Sequence, residues 1–504
     1  MILFDRRFEQ THLAAQTDIP PGASLVFEGR ADITGLTRLF VSVRDHAVVV
    51  AHEIDELFGS PSLVTVPNLD PLAVSSLLGR HLLPLPATAF EGIQCLNYGD
   101  RLAVHESDGT AYVVVNEDYP FFEKLNTGKS VASADTLLAH LTRATERQLE
   151  DRDTVLLLSS GKDSVSLVLA LVELGIQNQV TAVTYANAES SDESIYAADL
   201  CRRFGIRHQT IVNDPGSSSL RDHLIRSFQQ SGQPSMDRVM VPMVQLVDTL
   251  GCEGVNLVDG SGSDLYVGNV PSRNWLIKRS CSRFSHLSNL VAGRLLPLSS
   301  PYRWLLLNQA EICLEDTNLM GPELRKLLAD PRDPAPFWAS LVTRHQYHDL
   351  FDFKTYVSSK HLGSETYMAK TRNVADLTRS HVVFPWCDED LVRYYFNLPR
   401  DQKCDRENLI NKRLVRQMLR EKLDYPDQEI GKRAFIFDVD RFYRAHKDWI
   451  LEEIMGCSLY SDSGRRFVEG LRRSDPNEAE LVTLLMLFQL AGWANHSRYL
   501  NPIA

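Results

Sequence analysis

The chain has 504 residues, 44% of them apolar and 23% charged, with a formal net charge of −12. This length calls for two or more domains with sizeable cores, the composition is that of a globular protein, and the acidic balance argues against a nucleic-acid-binding surface. Eight scattered cysteines without a C-x-x-C pair, no zinc spacing, no apolar run of about 18 residues and no signal-peptide order predict reduced thiols in a cytoplasmic protein outside the membrane.

Residues 1–145 read as a smaller, β-rich domain. Leu39–Val43 and Ala47–Ala51 are β-branched runs around Arg44-Asp45-His46, a hairpin pattern. Gly92–Leu96 and Arg101–His105 flank the turn Asn97-Tyr98-Gly99-Asp100, and Asp108-Gly109 precedes Ala111–Val115. Leu137–Leu149 reads as a helix leading into a second domain, 146–504. There strands alternate with helices. Apolar runs at Val155–Leu158, Val180–Tyr185, His208–Val212 and Val255–Val258 predict four strands, with helices from Ser164 to Gly175 and Ser194 to Phe204. The alternation predicts an α/β fold with a parallel sheet and ligands at the carboxyl ends of its strands. After about residue 270 the chain reads as mostly helical.

Two loops carry the chemistry. Ser159-Ser160-Gly161-Lys162-Asp163-Ser164 joins an apolar strand to a helix. Free backbone N–H groups and the positive end of the helix dipole then face one point, an anion site. Small residues let the backbone approach a phosphate closely, and the Walker A spacing is absent. Asp259-Gly260-Ser261-Gly262-Ser263-Asp264 follows the fourth strand. Asp163 and Asp264 should therefore share one rim of the sheet. Magnesium prefers a few carboxylates together with phosphate oxygens and water, so this pair is the candidate metal site.

The first loop resembles the S-G-G-x-D-S loop of enzymes that split ATP into AMP and pyrophosphate, with Ser160 replacing the first glycine. Residues 150–440 resemble the synthetase domain of the asparagine synthetase family, which includes β-lactam synthetases and the macrolactam-forming cyclases of lasso peptides. Besides the two loops, the resemblance runs through Ser191-Asp192-Glu193-Ser194, Phe384-Pro385-Trp386-Cys387-Asp388, Asn397-Leu398-Pro399, Asn411-Lys412-Arg413-Leu414 and Gly431-Lys432-Arg433-Ala434-Phe435, in family order. It implies an adenine-nucleotide α-hydrolase-like synthetase domain with a helical C-terminal part, preceded by a degenerate Ntn-glutaminase-like domain. It further implies that Leu158 and Thr184 border the adenine and that Ser159, Ser160, Gly161 and Ser164 hold phosphates. Asp259 and Gly260 would lie near the ribose and α-phosphate, Asp163 and Asp264 would bind Mg²⁺, and Lys432 would steady charge on the acyl intermediates.

Two departures from the family pattern bear on the reaction. Position 2 holds Ile2 where the glutaminase nucleophile is a cysteine, and the nearest cysteine is Cys95. Thr88-Ala89-Phe90-Glu91-Gly92-Ile93 still resembles a late strand of that domain. The acid of the family's L-E-A-R-V-P block falls on His381, which is either a base for the attacking amine or a packed histidine. Glu365 and Asp376 are the nearest alternative acids, and Ser261 stands where β-lactam synthetases place a tyrosine. The resemblance implies an AMP- and pyrophosphate-forming amide synthetase acting on a small molecule or peptide that carries a carboxylate and an amine, by lactam or macrolactam formation. Expected partners are a second copy of the chain and, for a lasso-peptide cyclase, a peptide-delivery or protease partner. Ammonia-dependent asparagine synthesis, a tRNA-modifying pyrophosphatase and a non-catalytic scaffold are the alternatives.

Overall fold

The computed structural model describes residues 1–500 apart from 45, 64–66, 97, 119–126, 187–191, 252–253, 268–269, 271–272, 282–299, 301, 315–318, 346–348, 427–436 and 474–475. Its N-terminal part contains two four-stranded sheets. The strands are β1 Ile2–Arg7, β2 Gln10–Leu13, β3 Ser24–Arg30, β4 Leu39–Arg44, β5 Ala47–Ala51, β6 Ile93–Leu96, β7 Arg101–Ser107 and β8 Thr110–Asn116. The sheet orders are β1-β5-β4-β6 and β2-β8-β7-β3. Leu39, Val41, Val48 and Val50 of the first sheet share a core with Leu102, Val104, Ala111 and Val113 of the second.

The other face of the first sheet is also covered. Phe40, Val49 and Ala51 join a core with Leu484, Phe488 and Trp493 of the helix Glu478–His496. A strand buried on both faces reads as an unbroken apolar run, which is why β4 and β5 are conspicuous in the sequence. The hairpins β4–β5 and β7–β8 are antiparallel, the second closed by Asp108 and Gly109, both at positive φ. Between Leu96 and Arg101 the chain passes from one sheet to the other: β6 pairs with β4, and β7 with β3 and β8.

The second part is built on a five-stranded parallel sheet: β9 Thr154–Leu157, β10 Val180–Ala186, β11 Arg207–Val212, β12 Asn256–Val258 and β13 His381–Val383. Its order is β11-β10-β9-β12-β13. The chain runs outward from β9 to β11, then returns to place β12 on the other side of β9. That reversal opens a crevice beyond the carboxyl ends of β9 and β12, the place where open α/β sheets bind ligands.

The helix Ala134–Gln148 spans the expected domain boundary at 145. Its Leu137, Leu138, Leu141 and Ala144 pack in one core with Leu156, Val165 and Val168 of the parallel-sheet part. Most of the chain after β12 is helical, and no described helix is long and apolar enough to cross a membrane.

Candidate active site at the carboxyl rim of the parallel sheet

Beyond β9, Leu158 still donates its N–H to the Val183 carbonyl (2.8 Å) before the chain turns. Two serines then close the loop. The Ser159 and Ser164 hydroxyls lie 2.9 Å apart, and the N–H groups of Ser159 and Gly161 donate to the Ser164 and Ser159 hydroxyls, each at 3.1 Å. The helix Lys162–Glu173 starts at Gly161 with no side chain capping its first N–H groups. Those donors and the helix dipole remain available to an anion.

The loop after β12 packs directly on this turn. A Cβ on Gly260 would stand 3.0 Å from the Ser164 nitrogen, so only glycine lets the two loops meet without displacement. Asp259 shapes its own loop: Oδ1 accepts from the Ser261 N–H (2.8 Å) and hydroxyl (2.9 Å), and Oδ2 accepts from the Thr371 hydroxyl. Gly262 has φ +101°, and a side chain there would overlap the Cys387 sulfur.

Between the loops lies a cavity of about 300 Å³, within the range of small-molecule sites. Leu158, Ser159, Gly161, Asp163, Ser164, Thr184, Asp259, Gly260 and Asp264 line it. Val239, Met243 and Tyr185 add apolar surface suited to a purine. Of the nucleotide residues expected from the sequence, Ser160 does not line the cavity. It is buried, its hydroxyl donates to Glu193 Oε1 (2.8 Å), and its carbonyl accepts from the Tyr425 hydroxyl (2.6 Å). Thr184 is also buried, with its hydroxyl 2.9 Å from His208 Nε2. Burial holds the His208 imidazole below its ordinary pKa.

Asp163 and Asp264 converge on one cation. Lys412 Nζ contacts Asp163 Oδ2, lies 2.7 Å from Asp264 Oδ1, and donates to the Ser263 hydroxyl at 3.1 Å. Lys412 is buried, in the left-handed backbone region, at the position just before the helix Arg413–Leu423. Burial pulls its pKa down, but the two carboxylates outweigh that and hold it above the ordinary lysine value. The trio still carries one net negative charge. Asp163 Oδ1 is buried without a hydrogen-bond partner, while the Asp264 side chain is half exposed. Among the described residues no cluster of three or more His, Cys, Asp or Glu side chains could hold a metal alone. A hard divalent cation that takes two carboxylates and completes its shell with phosphate and water fits this donor set.

The profile of the asparagine synthase family matches residues 136–467, more than half of the chain. The chain belongs to the asparagine synthase family. No curated protein matches it. Membership makes it, in general terms, an ATP-dependent amide-forming ligase acting on small molecules. The matched stretch begins inside the helix Ala134–Gln148 and includes the whole parallel sheet.

In this asparagine synthase family member, His381 is not at the cavity, and its assignment as a catalytic base is corrected. It opens β13, in register with Asn256 at the start of β12, which is in turn in register with Thr154 at the start of β9. It therefore lies on the amino rim, while the loops carrying Asp163 and Asp264 leave from the opposite strand ends. Its Nε2–H donates to the Gln148 carbonyl (2.8 Å), and its Nδ1 lies 3.4 Å from Glu150 Oε1. Asp376 also lines a different cavity. Lys432 and the side chain of Glu365 lie outside the described residues.

Three residues of the site were not singled out from the sequence. Lys412 and Glu193 were legible only as members of family-like blocks. Lys370 lines the cavity from the helix Ala369–Thr378, held 3.3 Å from Asp237 and donating to the Tyr367 carbonyl at 2.7 Å.

Proposed function

We propose that this family member adenylates a substrate carboxylate and condenses it with an amine of the same molecule, forming a lactam or macrolactam in natural-product biosynthesis. The observation that carries the adenylation step is the meeting of Asp163 and Asp264, from loops after neighbouring strands, on a single cation beside a nucleotide-sized cavity. A carboxylate oxygen attacks the α-phosphorus of ATP, the bond to the bridging oxygen breaks, and pyrophosphate leaves. The amine then attacks the acyl carbon, loses a proton, and AMP departs. Asp163 and Asp264 would hold Mg²⁺, which when bound neutralises the departing pyrophosphate. The Gly161 turn and the open helix N-terminus bind phosphate oxygens. Lys432 is assigned to the oxyanion that forms at the acyl carbon.

The intramolecular amine is supported by the N-terminal sandwich. Cys95, the one cysteine among residues 1–145, is fully buried in β6 and offers no exposed nucleophile for hydrolysing glutamine. A substrate that brings its own amine removes that need, and holding both groups on one molecule supplies proximity.

The test is ATP–pyrophosphate exchange across amino acids, β-amino acids and peptides, with the nucleotide product identified. The expected result is magnesium-dependent exchange with one class of amine-bearing acid, a cyclised product and AMP. ADP and phosphate as products would overturn the reading. Exchange with aspartate followed by ammonia-dependent asparagine would replace cyclisation with asparagine synthesis.

A further inference from the structure

A second cavity, of about 550 Å³, lies between the N-terminal sandwich and the helix Ala369–Thr378. Its wall is charged in an unusual proportion for this acidic chain. Five arginines (Arg38, Arg152, Arg372, Arg379 and Arg498) face three acids (Glu53, Asp55 and Asp376). Most of these groups are already engaged. Arg38 pairs with Glu53 at 2.6 Å, and Arg498 and the Tyr499 hydroxyl both bind Asp55. Arg372 donates to the carbonyls of Gly35 and Leu36, each at 3.2 Å. Arg152 pairs with Glu150 at 2.7 Å and donates to the Arg379 carbonyl at 3.2 Å.

Two side chains are left over. Among the described residues, neither the Asp376 carboxylate nor the Arg379 guanidinium makes a hydrogen bond or an ion pair, although they sit three residues apart at the end of one helix. Both are open to the solvent of the cavity. Desolvation by the surrounding walls, then the nearby Glu53, raise the Asp376 carboxyl to about 6, against the attraction of Arg38 and Arg372. A carboxylate with no hydrogen-bonded partner suits an ammonium, and a guanidinium fork suits a carboxylate. A plain polyanion would meet the Asp376 charge, and a plain cation would meet the excess of arginine.

We propose that this interdomain cavity is a ligand site for a small amine-bearing acid, an amino acid or amino dicarboxylate, whose ammonium binds Asp376 and whose carboxylate binds Arg379. The site is separate from the nucleotide cavity and does not depend on the reaction proposed above. The helix Ala369–Thr378 runs between the two, sending Lys370 and Thr371 toward the nucleotide loops and Asp376 toward this cavity.

Calorimetric titration of the full-length protein with L-aspartate, L-glutamate and glycine, against succinate and methylamine, tests the proposal. At least one amino acid should bind saturably at millimolar concentration or below, and the two probes lacking one charged group should bind about tenfold more weakly or worse. Asp376→Asn and Arg379→Gln should each weaken the amino acid about tenfold or more, the loss for a hydrogen bond to a charged group, with unchanged melting temperature. Asp264→Asn, which breaks the nucleotide site, should leave this binding intact. Absence of saturable binding by every amino acid overturns the proposal. So does binding that survives both cavity substitutions or disappears in Asp264→Asn.

Discussion

The two rims of the parallel sheet are made from similar residue types and end in opposite states. At the amino rim, the groups on the strands themselves are satisfied locally: His381 is engaged by Gln148 and Glu150, and the Asn256 amide bonds the carbonyls of Glu150 (2.9 Å) and Arg152 (3.2 Å). At the carboxyl rim, two carboxylates share one buried lysine, and an oxygen of Asp163 has no partner. A residue's chemistry does not by itself mark a catalytic position. His381 has a side chain suited to base catalysis, but parallel pairing puts it at the wrong end of its strand. The unsatisfied rim is where an anionic ligand and a cation would be stabilised.

The comparison breaks most sharply at Asp163. Asp163→Asn removes a charge from the rim proposed to hold magnesium and nucleotide, so amide formation should fall by about 10³-fold or more while the protein stays folded. Product formation by mass spectrometry and the circular dichroism of the same preparation check this. Turnover near the wild-type level would mean that the unsatisfied rim is not the reactive one.

A smaller loss is expected at Lys432. Charge on the acyl oxygen appears only as bonds change, so Lys432→Ala should slow turnover by about 10²–10³-fold with ATP affinity nearly unchanged. Lys432→Arg should not restore it fully, because a planar guanidinium does not replace a compact ammonium. Calorimetric ATP binding beside turnover separates the two effects, and a Lys432→Ala enzyme of normal rate would refute the role.

Lys412 sharpens the contrast through stability. Its folded-state pKa is raised, so its contribution is complete below the ordinary lysine pKa and is lost only as pH rises through the folded value. Lys412→Met leaves two carboxylates facing each other, which raises their folded-state pKa. A raised carboxylate pKa gives stability at low pH that is lost as pH rises through it. The variant should be destabilised by about 1–2 kcal/mol at neutral pH, discounted for the half-exposed Asp264, and should regain much of this near pH ~5. Melting temperatures that shift in parallel with wild type over that range would contradict the charge assignment.

What could be read from the sequence follows from how far each feature reaches along the chain. The turn from Leu158 to Ser164 was legible because an apolar strand, small loop residues and an amphipathic helix are contiguous. The strands β4 and β5 were legible because both faces are buried. β1, β2 and β3 were not, because their residues alternate between exposed and partly covered without a clean period. β13 was missed because three residues make no periodic signal, and without that strand His381 could not be placed on a rim. Lys412 lies 249 positions from the aspartate it contacts, and only the fold brings them together.

The most direct measurement is ATP–pyrophosphate exchange by wild type, Asp264→Asn and His381→Ala, side by side at saturating magnesium. The account predicts that Asp264→Asn loses exchange to background while His381→Ala, on the opposite rim of the sheet, stays within about twofold of wild type. Exchange lost in His381→Ala and kept in Asp264→Asn would contradict it.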